Sequence, residues 1–456
     1  MRALHRRPPR RPARGLVRLL VAVAAGALAP GPGAAQELPP DTLQEARPDS
    51  VAEEPPVETG GWGAVEVTWR PGTTVVSVTV AFPRGSSGDP EGAPGATWLL
   101  GQVVQELLDG AIGPAPRAAT ELAVEVDRSR TVLRLVTLPR HFEEVFRALE
   151  WAIFRAEPGG PALESARTAM EEVFTFEENA PHREFELEFY GLLAGVGSPW
   201  SRTRRGTAES VAELSSAGLA DLRSRTFRRS EGVVSVVGAV SPEAAARAVT
   251  GGPPLPAGGG AADGFVPLSR RDAGTEAWVT PDRLRRTTEV TSTWIGMAWP
   301  VDVETSRTAL EMLVHRLDRR FNPSPPDPGA FHVDVRLELL DSRDLLVVEA
   351  AVLPEAAGQW ESRIRSAVED IAAEEMAAPF FRAYRRRFRG SRLVEDAPPE
   401  VESLRRAGDL LRDGRTRDLP ADISLLGAAD LRDAASRLGE PRILLFGPDL
   451  TDGASW

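Results

Sequence analysis

One predicted helix carries polar and aromatic side chains at a spacing that could form a binding surface. Between residues 95 and 108 the apolar residues recur at intervals of three and four, which is typical of an amphipathic helix. They are Leu100, Val103, Val104, Leu107 and Leu108. Trp98, Gln102 and Gln105 share the opposite face, where they could donate hydrogen bonds and bury an aromatic ring. Plain solvent exposure and a place in the wall of a cleft both fit this pattern.

Side chains that bind metals or act as nucleophiles are sparse elsewhere. The chain has no cysteine and five histidines. The adjacent carboxylates Glu171 and Glu172 lie on a helix predicted near 161–178, and His182 follows an acidic stretch that is typical of a solvated surface. No glycine-rich phosphate loop and no Ser/His/Asp arrangement is present. The residues alone therefore favour neither a metal site nor covalent catalysis.

The segment FFRAYRRRFRGSR, residues 380–392, concentrates positive charge on one predicted helix. Such a segment could bind nucleic acid or a polyanionic sugar. In an acidic chain, a solvated face whose arginines pair with nearby acids is the better interpretation.

The first residues predict a secretory signal peptide over 1–35. Seven arginines precede or border an eleven-residue apolar core, Leu19 to Ala29, and Gly33-Ala34-Ala35 is a small-residue cleavage site. The core is shorter than the roughly 20 residues that span a bilayer. Cleavage would take the formal charge from −12 to −19, which argues against nucleic acid and anionic membrane as partners. We expect a periplasmic or secreted protein.

The rest of the chain divides into two segments with a similar order of elements. Residues 36–60, rich in proline and acids, predict a disordered leader, and 251–280, with GGPPLP and GGGAADG, predict a linker. Both 61–250 and 281–450 end in a helix, a strand and a glycine. This order predicts an α+β fold of two tandem homologous domains, each an antiparallel-rich sheet with helices stacked on one face.

The run VSVTVAFPRGSSGDPEGAPGATWLLGQVVQELLDG resembles the N-terminal signature of the pitrilysin/insulinase zinc peptidases, the inverzincins. In that signature a strand ends in a Gly-Ser turn, an Asp-Pro-x-Gly loop follows, and a helix carries H-x-x-E-H. Gly85-Ser86, Asp89-Pro90 and Gly95 match the turn and loop. With weaker similarities further on, including the 171–172 segment where the family has its third zinc ligand, the resemblance covers residues 61 to 447.

The resemblance implies a zinc site whose ligands this chain lacks. The first motif histidine is Trp98, the glutamate is Gly101 and the second histidine is Gln102. An indole N–H only donates hydrogen bonds, glutamine is a poor zinc ligand, and the one surviving carboxylate, Glu171 or Glu172, cannot hold the metal alone. We therefore expect no zinc, no other cofactor and no catalytic residue, and an insulinase/mitochondrial-processing-peptidase-like fold.

The family analogy implies a non-catalytic, peptidase-like subunit that binds peptide or unfolded polypeptide. Its partner would be a zinc-bearing homologue in a heterodimer, with Trp98, Gln102 and Gln105 lining the cleft. Two alternatives remain open at this point. The chain could be a stand-alone peptide-binding scaffold, or a zinc metalloendopeptidase with unorthodox ligands.

Overall fold

A computed structural model describes residues 61–177, 180–251, 260–262, 264–270, 282–324, 327, 329–340 and 343–449. The predicted signal peptide and leader, and much of the predicted linker, lie outside these residues. The strands are β1 Ala64–Trp69, β2 Val76–Phe82, β3 Glu121–Val126, β4 Thr131–Thr137, β5 Val233–Gly238, β6 Gly260–Ala261, β7 Arg283–Thr287, β8 Thr293–Pro300, β9 Ala330–Leu340, β10 Arg343–Val352 and β11 Arg442–Gly447.

The α-helices alternate with these strands along the chain. They are α1 Ala96–Ala111, α2 Pro114–Ala118, α3 Phe142–Phe154, α4 Gly160–Glu177, α5 Pro181–Ala194, α6 Ala208–Ala212, α7 Ser216–Thr226, α8 Pro242–Thr250, α9 Arg307–Phe321, α10 Ala357–Ala373, α11 Ala378–Glu395, α12 Pro399–Asp413, α13 Leu419–Leu425 and α14 Ala428–Ser436. In the part that the structure describes, no helix is long and apolar enough to cross a bilayer.

The described strands form two mixed sheets with the same internal order. The first sheet runs β3-β4-β2-β5-β1-β6 and the second runs β9-β10-β8-β11-β7. In each sheet the closing strand is parallel to the first strand of its half, β5 to β1 and β11 to β7, and antiparallel to the next neighbour. This confirms the α+β class with two similar sheets. The domain boundaries themselves stay predictions, and the linker holds the short strand β6, which pairs with β1.

Each sheet buries apolar side chains on both faces because its central strands are nearly continuous apolar runs. Alternate residues of β2 and β5 face a layer that contains α1, α3, α4 and α7. Alternate residues of β8, β10 and β11 face a layer that contains α9, α10, α11 and α14. Each half therefore covers one face of its own sheet, as the sequence predicts.

The other face of each sheet is covered by a helix from the opposite half, which the sequence does not predict. Helix α5 packs on the second sheet, where an added Cβ at Gly296 would lie 2.7 Å from ring atoms of Phe189. Helix α12 packs on the first sheet through residues such as Leu410. The buried hydroxyl of Ser403 on α12 shares hydrogen bonds with Ser77 (2.8 Å) and Thr79 (2.9 Å) of β2.

Replacing Phe189 by alanine tests the exchanged helices. The ring is fully buried against the second sheet, so Phe189→Ala should lower the free energy of unfolding by about 3–5 kcal/mol in urea titrations. The control is Phe176→Ala on α4, whose side chain is 80% exposed and whose loss should change stability by less than about 0.5 kcal/mol. Equal effects of the two variants would contradict the exchange.

Candidate functional site

The N-terminus of α1 is fixed by the loop that matches the family signature. Gly95 precedes the helix with φ 86°, a left-handed conformation that glycine adopts without strain. An added Cβ there would also lie 2.1 Å from the carbonyl oxygen of Arg205. Glycine is therefore required for both the backbone turn and the close approach of the 205–206 segment.

The buried carboxylate of Asp89 ties this loop to the helix. The backbone N–H of Gly95 donates to Asp89 Oδ2 (2.7 Å), while the backbone N–H and hydroxyl of Thr97 donate to Oδ1 (2.8 and 2.6 Å). Burial raises the pKa of Asp89 to about 6, although the hydrogen bonds from Thr97 and Gly95 favour the charged form and offset part of the rise. At neutral pH the carboxylate is ionised and satisfies N–H groups of the first helical turn.

At the position predicted to match the first motif histidine, the chain carries a stacked tryptophan. Trp98 is partly buried against the first core, and the guanidinium carbon of Arg205 lies 4.7 Å from its ring centroid. Arg205 also forms an ion pair with Glu177 at the end of α4. A fixed positive charge beside this position disfavours a divalent cation there.

The position predicted to match the motif glutamate is packed tightly against a side chain of β3. An added Cβ at Gly101 would lie 2.6 Å from Cγ1 of Val124 on β3. Helix α1 therefore packs directly against this strand, and any larger residue would have to displace it. Gln102 and Gln105 are partly buried on the same helix, so the predicted face is neither core nor fully solvated.

The two candidate carboxylates lie on the exposed side of α4. Glu171 and Glu172 are exposed, whereas their neighbours Met170 and Phe174 are buried in the first core beneath α1. Among the described residues, no group of three or more His, Asp or Glu side chains has the arrangement of a metal site. The donor set near α1 (an indole, a bare backbone and an amide) does not suit zinc.

Strand β3 forms an open edge beside α1. In the described part of the first sheet its one neighbouring strand is β4. Its residues alternate between exposed or partly exposed and buried, with Glu121 and Glu125 exposed and Leu122, Val124 and Val126 buried. An edge of this kind can accept a further strand through main-chain hydrogen bonds.

A cavity of about 640 Å³ lies where the two halves meet, and sequence reasoning missed it. Eight arginines and eight acidic residues line it, so its formal charges cancel and favour neither anions nor cations. Tyr190 on α5 donates a hydrogen bond to Glu338, and the Arg128 guanidinium stacks on its ring at 3.3 Å. The lining comes from segments distant in sequence, including α5, β9, β10 and α12, which no local pattern brings together.

The lining of this cavity includes an ion-pair cluster around Arg336. Arg336 contacts Asp334 (2.7 Å), Glu338 (3.2 Å) and Glu349. Burial alone would raise the pKa of Glu349, but Arg336 and His182 outweigh burial and hold it well below its usual range. His182 Nε2 lies 3.7 Å from Glu349, so this histidine joins the contact between the halves.

Comparison with solved structures places this geometry in a known fold. A protease from Helicobacter pylori superposes with a TM-score of 0.66 at 12% identity, over 85% of this chain and 98% of the other. The peptidase M16 inactive domain from Pseudomonas fluorescens gives a TM-score of 0.65 at 14% identity, over 86% and 97%. No family model matches the sequence, and no curated protein matches it.

The periplasmic protease PqqL from Escherichia coli adds a comparison of length. It matches with a TM-score of 0.61 at 13% identity, over 93% of this chain but 49% of its own. The chain therefore has the fold of the M16 (pitrilysin/insulinase) peptidases and spans about half of that larger protein. This confirms the predicted resemblance at the level of fold.

Replacing Asp89 by asparagine tests the anchor of α1. An amide NH₂ would face a backbone N–H that now donates to a carboxylate oxygen, so Asp89→Asn should lower the free energy of unfolding by about 1–3 kcal/mol at pH 7. Asp109→Asn, at an exposed position on the same helix, should shift it by less than about 0.5 kcal/mol. Urea unfolding measures both, and a stable Asp89→Asn variant would show that the loop is held otherwise.

Proposed function

We propose that this chain is a non-catalytic, peptidase-like subunit that binds extended peptide and pairs with a zinc-bearing homologous peptidase outside the cytoplasm. The observation that carries the proposal is the replacement of the motif positions by packed groups: Trp98 beneath Arg205, and Gly101 against Val124. With these groups in place the chain binds no catalytic zinc and uses no cofactor. The exported location rests on the predicted signal peptide over 1–35.

Peptide binding is supported by the surface beside α1. The open edge of β3 offers main-chain donors and acceptors to an extended chain, and the partly buried Trp98, Gln102 and Gln105 lie on the neighbouring helix. Backbone pairing gives affinity with little dependence on sequence, and a partly buried aromatic ring adds apolar contact. Such a surface positions a peptide without supplying a reacting group.

Pairing with a homologue is supported by length. PqqL is about twice as long as the part that this chain matches, so in that protease a region of similar size accompanies the matched half. A separate zinc-bearing subunit would supply the corresponding half here. A stand-alone peptide-binding scaffold and a metalloendopeptidase with unorthodox ligands are the other outcomes that the following experiments distinguish.

Metal content and activity test the non-catalytic role in one assay with two arms. The purified chain alone should hold less than about a tenth of a zinc ion per molecule and cleave no peptide with or without chelator. Mixed with a zinc-bearing M16 homologue from the same organism, it should bind that protein and change its cleavage rate. One zinc ion per chain, with cleavage that a chelator abolishes, would contradict the proposal. If the chain has no effect on the homologue, the stand-alone peptide-binding scaffold is the remaining interpretation.

Peptide affinity tests the surface formed by α1 and β3. Trp98→Ala should weaken binding of a labelled, proline-free 12-residue peptide by about tenfold, measured by fluorescence anisotropy. Trp151→Ala is the matched control because Trp151 is an exposed tryptophan on α3, and it should leave the affinity unchanged. The same peptide methylated on alternate amide nitrogens should bind more weakly still, since it cannot pair with a strand edge. Equal affinities for all of these would refute this binding mode.

A further inference from the structure

Helix α11 is attached to the protein by a narrow stripe. Of its 18 residues, Phe381 and Phe388 are buried and Tyr384 packs partly beside them. Helix α10, with 17 residues in the same half, buries six. Most of the perimeter of α11 therefore faces outwards, which is unusual for a helix of this length in a folded core.

The six arginines of α11 divide into two groups. Arg385 donates hydrogen bonds to the carbonyl oxygens of Ser424 (3.0 Å) and Leu426 (2.7 Å), and Arg392 pairs with Glu395 (2.7 Å). The other four are exposed and form no ion pair within the described residues: Arg382, Arg386, Arg387 and Arg389. The prediction that this helix pairs its arginines with nearby acids is thus wrong for most of them.

Three of these arginines form a row along one side of the helix. Arg382, Arg386 and Arg389 follow the i, i+4, i+7 spacing, which extends over about 10 Å of helix axis. Like charges at this spacing repel and destabilise a helix. No acid of the described residues lies within ion-pair distance of these three arginines, so a carboxylate-bearing ligand would relieve the repulsion.

The positive field extends onto the neighbouring helix α9. Burial, followed by the charges of Arg392, Arg319 and Arg387, lowers the pKa of His315 to about 4. His315 lies beneath α11, where its Nδ1 is 2.8 Å from the hydroxyl of Tyr384. Arginines of both α9 and α11 therefore contribute positive potential at His315.

Exposed apolar side chains lie before and after the exposed arginines along α11. Phe380 is 72% exposed, Val394 74% and Leu393 51%, all on α11. A surface that combines an aromatic ring, aliphatic side chains and arginines has the composition of protein interfaces. We call this surface, formed by Phe380, Leu393, Val394 and the four exposed arginines, the arginine face.

We propose that the arginine face of α11 is a docking surface for an acidic segment of a partner protein, one that carries Asp or Glu side chains among apolar residues. Charge complementarity identifies the occupant. The protein has a formal charge of −12, and a short acidic segment can contact the arginines while staying away from the negatively charged remainder of the surface. An anionic membrane or a nucleic acid presents negative charge over a wide area and would be repelled by that remainder. This surface lies in the second half and is independent of the peptide surface beside α1.

A binding assay on the full-length protein tests the docking surface. The probe is a fluorescein-labelled 14-residue peptide of glutamate and leucine, followed by fluorescence anisotropy at low and at moderate salt. Arg382→Ala/Arg386→Ala/Arg389→Ala should weaken binding by at least about tenfold, and the corresponding triple lysine variant should retain most of the affinity. The matched control removes Arg147, Arg225 and Arg432, which lie on helices other than α11 and each form an ion pair with an acid. It should leave binding unchanged.

The same preparations decide the other outcomes. The triple alanine variant should unfold at the same urea concentration as the unmodified protein, since the three side chains are exposed. The lysine variant provides a folded comparison in any case. Equal weakening by the control variant, or no binding of the glutamate peptide, would overturn the proposal. So would arginine-dependent binding of phosphatidylglycerol vesicles or single-stranded DNA in place of the peptide, or self-association that the triple alanine variant abolishes.

Discussion

The exchange of helices between the halves is the constraint on which the rest of the structure depends. Strands β2 (VSVTVAF) and β5 (VVSVVG) of the first sheet are buried at every position. Helices on one face of the sheet are therefore not enough, and the apolar residues on the other face must also be covered. Helix α12 supplies that cover for the first sheet, and α5 supplies it for the second. Neither sheet buries both faces with residues of its own half, and the two halves are therefore one folding unit in spite of their similar topologies.

The exchange also explains the polar groups between the halves. Glu66 on β1 is buried and pairs with Arg406 of α12, and Glu349 on β10 is buried and pairs with Arg336 beside His182 of α5. A buried carboxylate without a partner would cost several kcal/mol. The Glu66 pair therefore depends on the helix that the opposite half contributes, whereas Glu349 has Arg336 in its own half and gains His182 of α5 at 3.7 Å. The charge-balanced cavity follows from the same arrangement, because ionic groups line the space that the apolar helices leave open. It is a consequence of the assembly and needs no ligand to explain it.

Sequence reasoning predicted local structure well and tertiary contacts poorly. The three-and-four spacing that ends at Leu108 predicts α1, and the alternation around Val124 predicts the β3–β4 hairpin, because both patterns are local. The sequence predicts a helix over 398–412, which matches α12 to within one residue at each end. That pattern cannot say which sheet the helix covers. The Arg205 guanidinium above Trp98 and the unpaired arginines of α11 likewise depend on neighbours far along the chain. The short strand β6 escaped prediction because glycine-rich sequence gives no periodic signal.

If the proposed loss of the zinc site is correct, each residue at a predicted motif position now has a packing role instead of a catalytic one. Trp98 now stacks under Arg205, which in turn pairs with Glu177, so a histidine at position 98 would lose the stacking and still face a guanidinium. Gly101 allows α1 to approach Val124, so a glutamate at 101 would collide with the Val124 side chain of β3. Each substitution thus carries a packing role of its own. Because both residues lie on α1, restoring one motif residue would disturb the packing without completing a set of zinc ligands. In this chain the helix packs against the edge strand β3 instead.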